Sequence, residues 1–147
     1  MHEIDTIYYM ETTDYILNHC CLNELKQMVI SLEEKYPLKL VKEPSLGLTM
    51  IRAEDSVESQ EFYLGEALTT DCEVSFNDIT GYGICLGDEP VRAYCIASVD
   101  SLLQAGLDIP ELKNFLAEQE EKVYLKEKIE FNQVQRTRVD FKMMEQA

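Results

Sequence analysis

The sequence has few of the side chains that run chemistry unaided. It holds two histidines, His2 and His19, so general bases and nitrogen ligands for a metal are scarce. Its five cysteines, Cys20, Cys21, Cys72, Cys85 and Cys95, are odd in number and form no C-x-x-C pair. That speaks against a disulfide framework and against a zinc or iron–sulfur cluster, and the thiols read as reduced and mostly buried. No apolar run approaches the roughly 20 residues that cross a bilayer. Met1-His2-Glu3-Ile4-Asp5 lacks the basic region and apolar stretch of a secretory signal, so export is not expected and a cytoplasmic location is. Basic residues are scarce too: 13 Lys and Arg stand against 28 Asp and Glu, a net charge of −15. Such a chain repels nucleic-acid phosphates and anionic lipid, and an anionic substrate needs local basic residues or a second chain to meet it.

A length of 147 residues suits one domain, 1–147, with room for a core. Ile7, Tyr8, Met10, Tyr15 and Leu17 suggest a short helix from about Asp5 to Asn18, interrupted near Cys20-Cys21. Leu25, Met28, Val29 and Leu32 predict an amphipathic helix over Leu22 to Lys35, with Pro37 just beyond its end. Leu38 to Lys42 and Leu48 to Ala53 read as a hairpin joined through Pro44-Ser45-Leu46-Gly47. Phe62, Leu64, Cys72, Val74 and Phe76 alternate along a long strand, Asn77-Asp78 turns it, and Ile79 to Leu86 returns.

Asp88 is placed to cap a helix that opens at Pro90 and stops at Gly106. A second start at Asp108-Ile109-Pro110-Glu111 opens a long helix reaching Gln133 to Arg136, with Leu112, Phe115, Leu116, Gln119 and Val123 on one face and Glu118 four residues from Lys122. Thr137 to Lys142 then alternates apolar and charged residues and reads as an extended tail built to dock. The expected fold is α+β: an antiparallel sheet of about four strands flanked by N-terminal helices, a mid-chain helix and a long C-terminal helix with that tail.

Few motifs survive comparison with their plainer readings. Gly81-Tyr82-Gly83 lies inside a strand and lacks the last glycine of a dinucleotide fingerprint, so close backbone approach is the simpler use. Gly87-Asp88-Glu89 sits where a helix N-terminus holds phosphate, with Arg92 one turn in, but its two carboxylates repel an anion. His19-Cys20-Cys21 resembles a thiol with its base, yet neighbours on a helix point about 100° apart and no orienting acid is near. Glu66 is an acid inside an apolar strand and reads as exposed or paired with a partner. Arg138 and Asp140 share one face of an extended tail, Val139 and Phe141 the other. No residue qualifies as catalytic.

Phe62-Tyr63-Leu64-Gly65-Glu66-Ala67-Leu68, then Gly81-Tyr82-Gly83 with Leu86-Gly87-Asp88, Ala93, Val99-Asp100-Ser101-Leu102 and Thr137-Arg138-Val139-Asp140-Phe141 follow one another as in the PhnG family, the small subunit of the carbon–phosphorus lyase core complex. The chain resembles that family over most of its length. It departs at Tyr94-Cys95-Ile96, where the family more often has small residues, and its first 60 residues match only in outline. The resemblance implies phosphonate catabolism and a hetero-oligomer of paired copies with PhnH, PhnI and PhnJ. With PhnH, PhnI and PhnL the family displaces adenine from ATP by methylphosphonate, giving α-D-ribose 1-methylphosphonate 5-triphosphate, and the nucleosidase chemistry lies on PhnI. A transferase subunit of this kind binds no cofactor by itself, ATP being a substrate of the complex. Its expected contact residues are Gly65, Glu66, Gly81, Tyr82, Gly83, Arg138, Asp140 and Phe141. The residues alone leave open a free-standing enzyme using Glu66, Asp140 or a thiol, and an adaptor unrelated to phosphonates.

Overall fold

The computed structural model describes residues 12–146, with side chains through Arg138. In chain order its elements are α1 (residues 12–19), α2 (Leu22–Lys35), β1 (Lys39–Glu54), β2 (Glu61–Phe76), β3 (Ile79–Leu86), α3 (Pro90–Gln104) and α4 (Pro110–Gln146). The chain divides into two compact units, one of residues Cys21–Ile109 and one that joins the N-terminal segment to Pro110 onward.

In the first unit the strands form one antiparallel sheet in the order β1-β2-β3. Alternation sets its faces: Cys72, Val74, Phe76 and Cys85 are buried, while Tyr82, Ile84 and Leu86 are exposed on the other side. Asn77 and Asp78, with φ of 47° and 65°, make the left-handed turn that suits the twist of a two-residue hairpin.

Helix α3 lies on β2 and β3 and carries α2 on another side. Apolar residues all round a helix suit such a position, and Ala93, Cys95, Ile96, Ala97, Val99 and Leu102 are buried. From α2 the buried residues are Leu25, Val29 and Leu32, at helical spacing. Tyr94 donates its hydroxyl to Glu33 Oε1 at 2.7 Å, tying α3 to α2.

Several expectations are corrected by this structure. The sheet has three strands, because the hairpin expected at Pro44-Ser45-Leu46-Gly47 is a single strand, β1, that runs through it. Proline is tolerated there because β1 is an edge strand, and register shifts between Leu40 and Lys42 and between Lys42 and Ser45 absorb the irregularity. Asp88 does not cap α3: the N-cap is Glu89, whose side chain makes no capping bond to the helix end. Thr70 ties down this corner, accepting the Glu89 N–H at 3.1 Å and donating to the Gly87 carbonyl at 2.6 Å.

The second unit holds α1 and α4. The part of the first helix expected around Ile7, Tyr8 and Met10 lies outside the described residues, as does His2. Ile16, Leu17 and Cys20 are buried in α1 and just after it, and Leu112, Phe115, Leu116, Gln119 and Val123 on α4, the face that helical spacing predicts. From Tyr124 to Arg138 every side chain is exposed. The extended tail expected from Thr137 is corrected to helix: α4 continues to Gln146. Its sequence after Pro110 has neither glycine nor proline to stop it, and propagation adds a hydrogen bond for each residue fixed. The side chains of Asp140 and Phe141 lie outside the described residues.

Candidate functional site

The glycines of β3 serve the fold from within. A Cβ on Gly81 would stand 2.3 Å from the Ser101 nitrogen and 2.4 Å from the Ala97 carbonyl oxygen. One on Gly83 would stand 2.1 Å from the Ala93 oxygen. The backbone of α3 therefore rests on the backbone of β3, and these two positions are covered by the chain's own helix. Tyr82, between them, faces the opposite way and is 60% exposed. Its N–H points off the sheet edge, where the Asp100 carboxylate accepts it at 2.9 Å and also takes a bond from Gln104 at 2.7 Å. Burial raises the Asp100 carboxyl above the ordinary aspartate range, against these two bonds, which lower it.

Within each unit, the described positions expected to carry an acid or a thiol are not gathered into one centre. His19 stacks on Tyr15 and its Nδ1 lies 2.9 Å from the Tyr15 carbonyl oxygen, while the Cys20 thiol turns inward to Leu17. Cys72 and Cys85 are buried, and burial pushes both thiols up, away from the reactive thiolate. At the start of α3, Arg92 is buried and its Nε lies 3.3 Å from Glu89 Oε1. A carboxylate thus occupies the place where a phosphate would need the guanidinium. Among the described residues no His, Cys, Asp and Glu side chains group as a metal site. Nor is any described helix long and apolar enough to cross a membrane.

What the first unit does present is an arm. Strand β3 pairs with β2 only from Thr69 to Phe76, so the stretch of β2 from Glu61 to Leu68 is paired on one side alone, with β1. This two-stranded arm is roughly 25 Å long at the usual strand rise. Its tip is a tight loop in which Asp55 N–H donates to the Gln60 carbonyl at 2.8 Å and Asp55 Oδ1 accepts the Val57 N–H at 3.0 Å.

Both faces of the arm are apolar and open. Register puts Leu46, Leu48, Met50 and Leu68 on the face that α3 covers further along, and there Leu48 is 65% and Met50 56% exposed. Leu64 is the extra residue where the register shifts between Ile51 and Arg52. That bulge brings Tyr63 to the same side as Glu66, whose bond to its hydroxyl, after burial, raises the tyrosine pKa. Ile51 and Phe62 are exposed on the opposite face. Gly65 has nothing within 4 Å of a Cβ.

Of the residues expected to make contacts, Gly65 and Glu66 therefore lie on an open arm and Tyr82 on an open sheet face, while Gly81 and Gly83 pack internally. Leu48, Met50 and Leu68 were not among the residues expected from sequence. Their alternation with polar or small residues was visible, but it is the same signal a buried strand gives.

The chain matches the family model for phosphonate metabolism protein PhnG over residues 12–146 and belongs to that family. No curated protein matches it.

Proposed function

We propose that this member of the PhnG family is a structural subunit of the carbon–phosphorus lyase core complex, assembled in the cytoplasm with PhnH-, PhnI-, PhnJ- and PhnL-type subunits in paired copies. In that assembly it supports, without catalysing, the displacement of adenine from ATP by methylphosphonate to give α-D-ribose 1-methylphosphonate 5-triphosphate. The observation that carries this reading is the arm, with large apolar side chains exposed on both faces in a chain of net charge −15. Contiguous exposed apolar surface of this kind marks a protein contact, and a two-stranded hairpin standing in water is marginal without one. Five cysteines with no disulfide among them suit a reducing compartment.

Co-expression with PhnH-, PhnI- and PhnJ-type chains, followed by native mass spectrometry, tests it. A discrete mixed complex containing this chain is the expected result. Recovery of the chain alone, folded, from every combination would overturn the proposal.

A further inference from the structure

The main-chain edges of the sheet are not alike. On β3, the outward N–H of Tyr82 is closed by Asp100. On β1, between Lys39 and Ser45, Pro44 offers no N–H, Lys39 and Lys42 add charge, and two register shifts break the run. Those are common ways of blocking an edge to further strands.

The edge of β2 beyond β3 carries neither a proline nor a closing carboxylate, and its one irregularity is the bulge at Leu64, on the tip side of Gly65 and Glu66. The Leu68 carbonyl accepts the Gly87 N–H at 2.8 Å, so the line of β3 continues one bond past its last pair. Gly87, at φ +82°, then turns the chain away into α3. In an antiparallel sheet the outward residues alternate, so Glu66 presents its N–H and C=O to the side that Leu68 does. Among the described residues no strand pairs with that side from Glu61 to Ala67. Apolar residues flank the edge on both faces, and the tip carries Glu54, Asp55, Glu58 and Glu61 against the single cation Arg52.

We propose that the β2 edge from Glu61 to Ala67 receives a strand from a partner protein. The partner segment has apolar alternate residues that continue the faces of the arm, and Lys or Arg where it passes the acidic tip. This rests on the reading of the chain as a subunit of a larger complex. A second copy is the poorer occupant, since each copy brings a charge of −15 and its own acidic tip.

The test uses Glu66→Pro and Glu66→Ala in the co-expressed complex. Proline removes the outward N–H and leaves the bonds to β1, whereas alanine removes only the side chain. Circular dichroism and thermal unfolding of each free chain establish that the fold is kept, and hydrogen exchange of the wild type reads protection of the Glu61–Ala67 amides on assembly. The expected result is protection in the wild type, co-purification by E66A, and a loss of roughly tenfold or more in partner recovered with E66P. Equal recovery with E66P and E66A, or unprotected edge amides in an intact complex, would overturn the edge and leave the subunit reading standing. A wild-type chain that joins no complex would overturn both. If the isolated chain dimerises and E66P abolishes the dimer, the edge belongs to a second copy and the proposed partner is wrong.

Discussion

Gly83 lies so close to Ala97 that a Cβ built on the glycine would stand 2.6 Å from the alanine's backbone nitrogen and 3.1 Å from its Cβ. Together with Gly81, on the same face of β3, it lets α3 sit with its main chain on the sheet.

Gly83→Ala is therefore expected to force α3 off β3, at a cost of about 3 kcal/mol or more, because the clash is with backbone that has nowhere to turn. Gly65→Ala meets open space and is expected to unfold within about 0.5 kcal/mol of the wild type. Urea unfolding of the two variants checks the contrast. Similar midpoints would show that the contact is looser than its geometry.

Tyr94→Phe removes the bond to Glu33 and is expected to cost about 1 kcal/mol near pH 8. Burial, with the Glu33 bond next, pushes the tyrosine up to about 12 from 10.0. The folded pKa is the higher one, so the stability it contributes is whole below pH 10 and fades as pH rises toward 12. The gap between variant and wild type should close over that range in alkaline unfolding curves. A gap that widened would reverse the assignment.

Asp100→Asn keeps an acceptor for the Tyr82 N–H and removes a half-buried charge. Burial holds the carboxyl above 3.8, so its contribution to stability is greatest below that value and declines as pH rises through the folded pKa. The asparagine variant is expected to match or exceed the wild type at pH 7 and to lose that advantage as pH falls below about 4. Thermal unfolding across that range reads it directly.

Leu48→Thr with Met50→Thr changes one face of the arm without touching the core of the first unit. The pair of changes is expected to shift stability of the free chain by less than about 1 kcal/mol, since both side chains already stand in water. Complex assembly is expected to weaken by tenfold or more, about 1.4 kcal/mol, if both are covered by a partner. Unchanged assembly would remove this face from the contact.

Much of the fold was legible because local chemistry and tertiary position agree. The three-, one- and three-residue spacings of α2, the Asn77-Asp78 turn and Pro110 at a helix start each fit a single backbone conformation. Where two conformations satisfied the same residues, the sequence misled. Thr137 to Lys142 alternates like a strand, but among the described residues no strand pairs with it, and the chain keeps the helix already begun. Pro44-Ser45-Leu46-Gly47 has turn chemistry, but at a sheet edge the same residues make an irregular stretch of strand.

By itself the sequence determined which segments are helix and strand over most of the chain and how acidic it is. Only the tertiary structure decided which alternating residues are core and which are open. Cys72 and Val74 are buried on the face that α3 covers, whereas Leu48 and Met50 carry the same pattern past the reach of any element that covers the first pair. Hydrophobic periodicity records which way a side chain points along its own strand. What it points at depends on where a helix from elsewhere in the chain has come to rest.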